Sequence, residues 1–151
     1  MNNDDEILAS ARNRVEETGD ASAHAELECL RQAAALGRES NWRMVDCTLY
    51  VTLEPCLMCL GAIQGFRVKR LVYGARNHLL GAIESYIKVL DHRHPFHEVE
   101  VRGGLQAEEC GALMKEFFAK RRIQPPRIGA AVRMGEHFNN QTSSRIQMPP
   151  I

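Results

Sequence analysis

The sequence predicts a single α/β domain in which a β-sheet is covered by helices. Short runs rich in β-branched and aromatic residues alternate along the chain with segments whose apolar residues recur every three or four positions. The 151 residues are 44% hydrophobic and carry no net charge, so the chain is long enough and apolar enough to bury a core. Strands that alternate with helices in this way are typical of layered α/β folds.

The elements follow one another clearly except in residues 75–95, which are ambiguous. The glycines Gly103 and Gly104 end the last strand. From residue 124 the polar, proline-containing sequence predicts a mobile tail, which gives a domain over 1–123 and a tail over 124–151. In chain order, the predicted elements are a strand at 6–11, a loop at 13–20, a helix at 22–36, a strand at 47–53, a helix at 57–63, a strand at 70–74, a turn at 79–81, a strand at 98–102 and an amphipathic helix at 107–122.

Local signals support the predicted helices. Asp20 or Ser22 suits the N-cap of the first long helix, whose apolar face is formed by Ala23, Leu27, Leu30 and Ala34. Pro55 lies where a strand passes into a helix, a place where its fixed φ costs little. The apolar side of the last helix contains Cys110, Leu113, Met114, Phe117 and Phe118.

Two short segments near the predicted helix starts carry the chemistry. His24-Ala-Glu26 is followed about thirty residues later by Pro55-Cys-Leu-Met-Cys59. Zinc prefers imidazole and thiolate ligands in tetrahedral geometry, so His24, Cys56 and Cys59 predict a metal site with a fourth position open for water. An open position is typical of a catalytic zinc, and Glu26 is then a candidate for the acid/base.

Each half of this pattern alone has a commoner explanation. A C-x-x-C pair is often half of a structural zinc site or a redox pair, a lone histidine is usually packed in a core, and a lone glutamate is usually solvated. The sequence contains no second C-x-x-C that would complete a structural finger. The two halves in this order match the signature of zinc-dependent nucleobase deaminases. His92, His94 and His97 are instead interpreted as a surface loop.

Charge is distributed unevenly along the chain. Residues 1–28 carry eight acidic and two basic side chains, a net of −6, whereas residues 115–151 carry seven basic and two acidic ones, a net of +5. The basic end could hold phosphates. Alternatively, Lys120-Arg121-Arg122 could be a solvated helix terminus that suits the helix dipole, and charge alone favours neither interpretation.

The sequence indicates a compartment only indirectly. It has no apolar run long enough to span a membrane, and its first six residues do not resemble a signal peptide. Cys29, Cys47 and Cys110 are interpreted as buried or half-buried thiols in a reducing environment. We therefore expect a cytoplasmic protein, or a plastid one if the natural chain has an upstream transit segment.

Several longer segments surround the zinc motif. They are Thr48-Leu-Tyr-Val-Thr-Leu-Glu-Pro-Cys-Leu-Met-Cys59, Gly61-Ala-Ile63, Gly74-Ala-Arg-Asn77, Glu108-Glu-Cys110 and Phe117-Phe118 through Arg121-Arg122. Through these segments, residues from about 6 to 122 resemble bacterial tRNA-specific adenosine deaminases of the TadA type, which belong to the cytidine-deaminase-like superfamily. The zinc motif is common to the whole superfamily, whereas the Leu-Glu-Pro before the first thiol and the basic C-terminal stretch are more specific to the tRNA branch.

This resemblance implies a three-layer cytidine-deaminase-like fold with a mixed sheet between helices. It implies a homodimer that acts as a tRNA adenosine(34) deaminase, a hydrolase of a cyclic-amidine C–N bond that converts the wobble adenosine of a tRNA anticodon to inosine. One Zn²⁺ per subunit would be held by His24, Cys56 and Cys59, and Glu26 would move protons. The residues implied to contact the anticodon stem-loop are Asn13, Phe118, Arg121 and Arg122.

The sequence also departs from that family. The family has a helix and a first strand before the position of residues 6–9, so the resemblance implies an N-terminally incomplete domain, and we expect the natural chain to begin upstream. Smaller departures are Ala21-Ser22, Leu60 and Glu84.

Two other functions stay open. One is a free nucleobase or nucleotide deaminase acting on guanine, cytosine or dCMP, against which the basic C-terminal stretch argues. The other is an inactive truncated product or a non-catalytic RNA-binding subunit, against which the retained Glu26 argues, since such a role needs no proton shuttle.

Overall fold

A computed structural model of the chain describes residues 6–36 and 42–123, with side chains up to residue 121. The predicted tail over 124–151 lies outside the described residues. In chain order the elements are α1 (Val15–Thr18), α2 (Ala25–Ala35), β1 (Thr48–Leu53), α3 (Leu57–Gly65), β2 (Arg70–Ala75), a 3-10 turn (Val89–Asp91), β3 (Glu100–Arg102) and α4 (Ala107–Ile123).

The described strands form a parallel sheet in the order β1-β2-β3. Leu49 lies opposite Leu71, and Leu71 lies opposite Val101, so β2 is the central strand and its apolar residues are buried. Parallel strands are buried on both faces and are therefore nearly continuous in hydrophobicity, which is the pattern of β2.

Helices cover both faces of this sheet. Leu71 packs in a core with residues of α2 and α3 on one face. Gly74, three positions along β2, faces the opposite way, and Cys110 of α4 occupies the space that a side chain at Gly74 would need. The result is a three-layer arrangement whose main core contains Leu30, Met44, Leu49, Leu60, Ile63, Val68, Leu71 and Ala82.

The structure confirms the predicted fold class and most of the elements. The described strands are all parallel, so the antiparallel member of the predicted mixed sheet is not among them. The prediction of a strand at residues 6–11 was wrong, because these residues lie outside the sheet ladder. They are joined to α2 by a bond from the Cys29 thiol to the Ala9 carbonyl, among other contacts. The predicted loop at 13–20 contains the single turn of α1, closed by Gly19 in the left-handed region.

The N-cap prediction for α2 was also wrong. The cap is His24, and neither Asp20 nor Ser22 fills that position. The Asp20 carboxylate instead accepts bonds from the Ser22 amide (2.7 Å) and the Ser22 hydroxyl (2.8 Å), so it stabilises the turn before the helix. This turn determines where His24 enters α2.

The apolar side predicted for α4 is only partly buried. Cys110 and Met114 are half-buried, whereas Leu113, Phe117 and Phe118 are 56%, 47% and 51% exposed. The helix therefore contacts the sheet through its first turns, and periodicity alone overestimated the buried face. Among the described residues, no helix combines the length and hydropathy needed to cross a membrane.

Candidate active site

The histidine and the glutamate of the first motif stand at the start of α2. His24 is the N-cap, with extended backbone angles (φ −70°, ψ 152°), and Glu26 lies in the first helical turn. Two residues apart in a helix interior, these side chains would diverge, but at a helix start both can lean over the open end. The residue before His24, the buried Ala23, is held in place because its carbonyl oxygen accepts the Arg14 amide at 2.8 Å.

The two thiols stand at the start of α3. Cys56 is the N-cap, again with extended angles (φ −74°, ψ 171°), and Cys59 is fully buried in the first turn. A C-x-x-C spacing at a helix start brings both sulfurs to one side of the helix. As predicted, the starts of two helices meet at the same place.

The geometry of these side chains fits a tetrahedral zinc. The Nδ1 atom of His24 lies 3.6 Å from the Cys56 sulfur and 3.4 Å from the Cys59 sulfur, and the three ligand atoms lie within 4.8 Å of one another. Zinc bonds of ordinary length at a tetrahedral angle require a nitrogen–sulfur separation of about 3.6 Å. Among the residues that the structure describes, this is the one such group of histidine, cysteine or acidic side chains.

The thiols are electrostatically unequal. The pKa of Cys56 is lowered to about 5, first because the Cys59 thiol donates a hydrogen bond to it and further because main-chain N–H groups at the helix start lie beside its sulfur. The pKa of Cys59 is raised by that same shared proton and by burial. The lowered pKa favours the thiolate form of Cys56, the form in which cysteine binds a metal.

Glu26 is a partly buried acid beside this group. Burial raises the pKa of its carboxyl group, and the negative charge of Cys56 raises it further, while a hydrogen bond with the Cys59 side chain acts in the opposite direction. A carboxyl group with a raised pKa at the edge of a metal site is suited to carrying a proton near neutral pH.

Sequence reasoning missed a second buried acid. Glu54, between β1 and the thiol segment, is 1% exposed, and its carboxylate accepts bonds from residues of the ambiguous stretch 75–95. Burial alone would raise the pKa of Glu54, but hydrogen bonds, chiefly from the Glu84 amide and the Ser85 hydroxyl, lower it to about 2. The available signal was an acidic residue directly after a strand and before the motif proline.

The residues expected to contact RNA lie just before α1 and on α4. The side-chain Oδ1 atom of Asn13 accepts the Val15 amide at 3.2 Å, at the first residue of α1. Arg121 of α4 lies 4.0 Å from Glu16 of α1, so the end of α4 and the segment around Asn13 are neighbours. Phe118 is half exposed beside them on α4, and the side chain of Arg122 lies outside the described part of the chain.

Among the described residues, the histidines of the predicted surface loop, His92, His94 and His97, do not form a group that could hold a metal ion. The His94 ring accepts the His97 amide at 3.2 Å, and the Nε2 atom of His97 lies 2.7 Å from the Val68 carbonyl oxygen. These contacts anchor the loop to the residue that precedes β2 by two positions.

A family model for MafB19-like deaminases matches residues 1–122 of this chain. The chain belongs to this deaminase family. Within it, the chain is of the tRNA-specific adenosine deaminase type of the cytidine-deaminase-like enzymes, and it is a hydrolase of the deaminase class.

Curated relatives agree with this assignment. A tRNA-specific adenosine deaminase of Haemophilus influenzae is 48% identical over 123 residues, covering 77% of this chain and 70% of that protein. One from Streptococcus pyogenes is 40% identical over 119 residues, covering 79% and 68%. The chloroplastic tRNA(adenine(34)) deaminase of Arabidopsis thaliana is 43% identical over an alignment of 134 residues, covering 78% of this chain and 10% of that protein.

Solved structures are similar as well. A structure from work on A-to-I editing by tRNA:A34 deaminases superposes with a TM-score of 0.66 at 40% identity, covering 73% of this deaminase and 78% of that chain. A guanine deaminase from Nitrosomonas europaea superposes with a TM-score of 0.53 at 28% identity, covering 72% and 64%.

Proposed function

We propose that this deaminase hydrolyses adenosine to inosine at the wobble position of a tRNA anticodon. The observation that carries the proposal is the convergence of His24, Cys56 and Cys59 at one point, with Glu26 beside it. The bacterial relatives at 40–48% identity, described as tRNA-specific adenosine deaminases, support the choice of substrate.

The proposed cofactor is one Zn²⁺ per subunit, held by His24, Cys56 and Cys59. Their separations suit a tetrahedral ion, and their chemistry suits zinc, since one imidazole and two thiolates are borderline and soft ligands. When bound, such an ion lowers the pKa of water so that it can act as a nucleophile at neutral pH.

Glu26 is the proposed acid/base of the reaction. Water adds to C6 of adenine and ammonia leaves from the same carbon, so a proton must pass from the water to N1 and another to the departing amine. A single carboxyl group with a raised pKa can accept the first proton and deliver it, because such a group exchanges protons readily near neutral pH.

The proposed RNA contacts are Asn13, Phe118, Arg121 and Arg122. An anticodon loop suits this reaction because its bases can be turned out of the stack at low cost and held on aromatic or guanidinium surfaces. The described contacts support one surface, since the Arg121–Glu16 pair brings α4 beside the segment that contains Asn13.

A homodimer is the proposed assembly. Exposed apolar residues lie beside the thiols: Leu57 and Met58 stand between the two cysteines, and Leu79 and Leu80 directly precede Gly81, which pairs with Cys56. Leu79 is 80% exposed. Apolar side chains clustered in this way are typical of an interface. We expect a dimer in sedimentation equilibrium, and a Leu79→Glu variant should shift the population towards monomer.

A cytoplasmic or plastid location remains a prediction. All five cysteines are free thiols, as in proteins of reducing compartments.

The test of the proposed function is inosine formation in an anticodon stem-loop with adenosine at the wobble position, using the zinc-loaded protein. The Glu26→Ala variant should lose about 10²–10⁴-fold in rate while retaining its zinc, since Glu26 is not a ligand. Glu28→Ala is the matched control. Glu28 lies two residues further along α2, and its carboxylate pairs with Arg14 and Arg31.

Two results would contradict the proposal. Equal rates for Glu26→Ala and Glu28→Ala would exclude Glu26 as the proton carrier. Conversion of free guanine without conversion of the stem-loop would favour the alternative function, which the similarity to guanine deaminase makes worth including in the same assay.

A further inference from the structure

Glu54 is a buried carboxylate that the proposed reaction does not use. One oxygen accepts the main-chain amides of Ile83 (3.0 Å), Glu84 (2.8 Å) and Ser85 (3.1 Å). The other oxygen accepts the Asn77 amide at 3.1 Å and the Ser85 hydroxyl. These donors carry no formal charge, and all of them belong to residues 77–85, so one side chain organises a whole loop.

That loop is joined to the thiol segment. The Ala82 amide donates to the Pro55 carbonyl at 2.9 Å, and Gly81 forms an antiparallel bridge with Cys56. Glu54 therefore holds a loop that also pairs, at Gly81, with the backbone of Cys56. Cys56 follows Glu54 by two residues in the chain. The loop is thus held twice, by the side chain of Glu54 and by the backbone of Pro55 and Cys56.

The loop fits closely over the Glu54 carboxylate. A side-chain carbon at Gly81 would lie 2.5 Å from a Glu54 oxygen and 2.6 Å from the Asn77 carbonyl oxygen. The Asn77 oxygen belongs to the backbone, and the Glu54 carboxylate is held by five hydrogen bonds. The carboxylate and Gly81 therefore determine each other's position.

A second acid holds the outer side of the same loop. Glu84 accepts the Tyr73 hydroxyl and an Arg76 nitrogen at 2.7 Å. The Glu84–Arg76 pair is substantially exposed, and its contacts lead to β2 and away from Cys56. Glu84 is thus a matched control for Glu54, because it has the same side chain and lies on the loop that Glu54 holds, while the partners of its carboxylate among the described residues are Tyr73 and Arg76.

We propose that Glu54 is the positioning residue of the metal site: by holding loop 77–85 it fixes the backbone of Cys56 and so aims that thiol at the metal. This inference rests on the proposed function, in which His24, Cys56 and Cys59 bind zinc. Groups that orient metal ligands from outside the ligand shell commonly change metal affinity by about 10–100-fold when they are removed.

The experiment compares zinc affinity, by competition with a chromophoric chelator, in the full chain and its Glu54→Gln and Glu84→Gln variants. Cobalt(II) replaces zinc in a parallel measurement, because its sulfur charge-transfer absorption reports thiolate coordination. Glutamine retains one oxygen to accept the amides of residues 83–85 but turns an NH₂ group towards the Asn77 amide. In Glu54→Gln, the rate of amide hydrogen exchange should therefore increase more at Asn77 than at residues 83–85, relative to the unaltered chain.

We expect Glu54→Gln to bind zinc about 10–100-fold more weakly and to show altered cobalt absorption, whereas Glu84→Gln stays within about twofold of the unaltered chain. A folded Glu54→Gln protein with unchanged zinc affinity would overturn the inference. If Glu54→Gln does not fold, Ser85→Ala removes a single donor to the same carboxylate, and unchanged affinity in that variant would overturn the inference equally. Failure of the unaltered chain to bind zinc would instead reject the proposed function on which the inference rests.

Discussion

Replacement of Gly81 by alanine should destabilise the protein, although glycine-to-alanine substitutions often do the opposite. The new methyl group would lie 2.5 Å from a Glu54 oxygen and 2.6 Å from the Asn77 carbonyl oxygen, both closer than any carbon–oxygen contact allows. The loop must shift, and the shift weakens hydrogen bonds that keep a fully buried carboxylate satisfied.

The magnitude follows from two contributions. Overpacking by a single carbon costs about 1–3 kcal/mol where the surroundings are rigid. Loss of one hydrogen bond to a buried charged group costs about 1–3 kcal/mol in addition. We therefore expect the free energy of unfolding to fall by about 2–6 kcal/mol in Gly81→Ala, a large part of the stability of an ordinary domain.

The same substitution at Gly61 is the matched control. Gly61 is exposed in the interior of α3, and a side-chain carbon there would have no neighbour within 4 Å. Alanine should stabilise that helix by about 0.5–1 kcal/mol, because glycine loses more backbone entropy on folding.

Urea denaturation followed by circular dichroism, at one fixed zinc concentration, measures both variants. The two substitutions should change stability with opposite signs. Equal stability of Gly81→Ala and Gly61→Ala would refute the close packing of loop 77–85 against Glu54.

Three further changes have measurable outcomes. Leu60→Ala should lower the free energy of unfolding by about 2–5 kcal/mol, since Leu60 is fully buried, whereas Leu113→Ala, at an exposed position of α4, should change it by less than about 0.5 kcal/mol in the same titration. A zinc chelator should lower the melting temperature of the unaltered chain in calorimetry but not that of Cys56→Ser, and an equal effect on both would argue against the metal site. Hydrogen bonds from Arg14 and Arg12 lower the pKa of Glu17 from 4.5 to about 2. The difference in free energy of unfolding between the unaltered chain and Glu17→Gln should therefore be complete above pH 4.5 and vanish as the pH falls through about 2. A difference independent of pH would contradict this pairing.

The sequence by itself determined the chemistry of the candidate site. The ligand types of His24, Cys56 and Cys59, and the carboxyl group of Glu26, follow from residue identity and spacing, because metal preference and proton transfer depend on functional groups. Spacing also placed both motifs at helix starts, since an N-cap and the first turn lie within a few residues of each other along the chain.

Most of the strands and helices were predictable for the same local reason. Period and composition gave β1, β2, α2 and α3 to within a few residues. The exception was residues 6–11, because a strand exists only where a neighbour completes its hydrogen bonds, and local sequence does not say whether one is present.

Tertiary structure alone decided the role of Glu54 and the fold of the stretch around it. Residues 77–85 have no regular period, and their shape is determined by five hydrogen bonds to a side chain more than twenty positions earlier in the chain. It likewise decided that Phe117 and Phe118 stay half exposed while Cys110 meets the sheet at Gly74. A local pattern determines which groups a segment offers, whereas burial and long-range hydrogen bonding depend on what the rest of the chain brings against it.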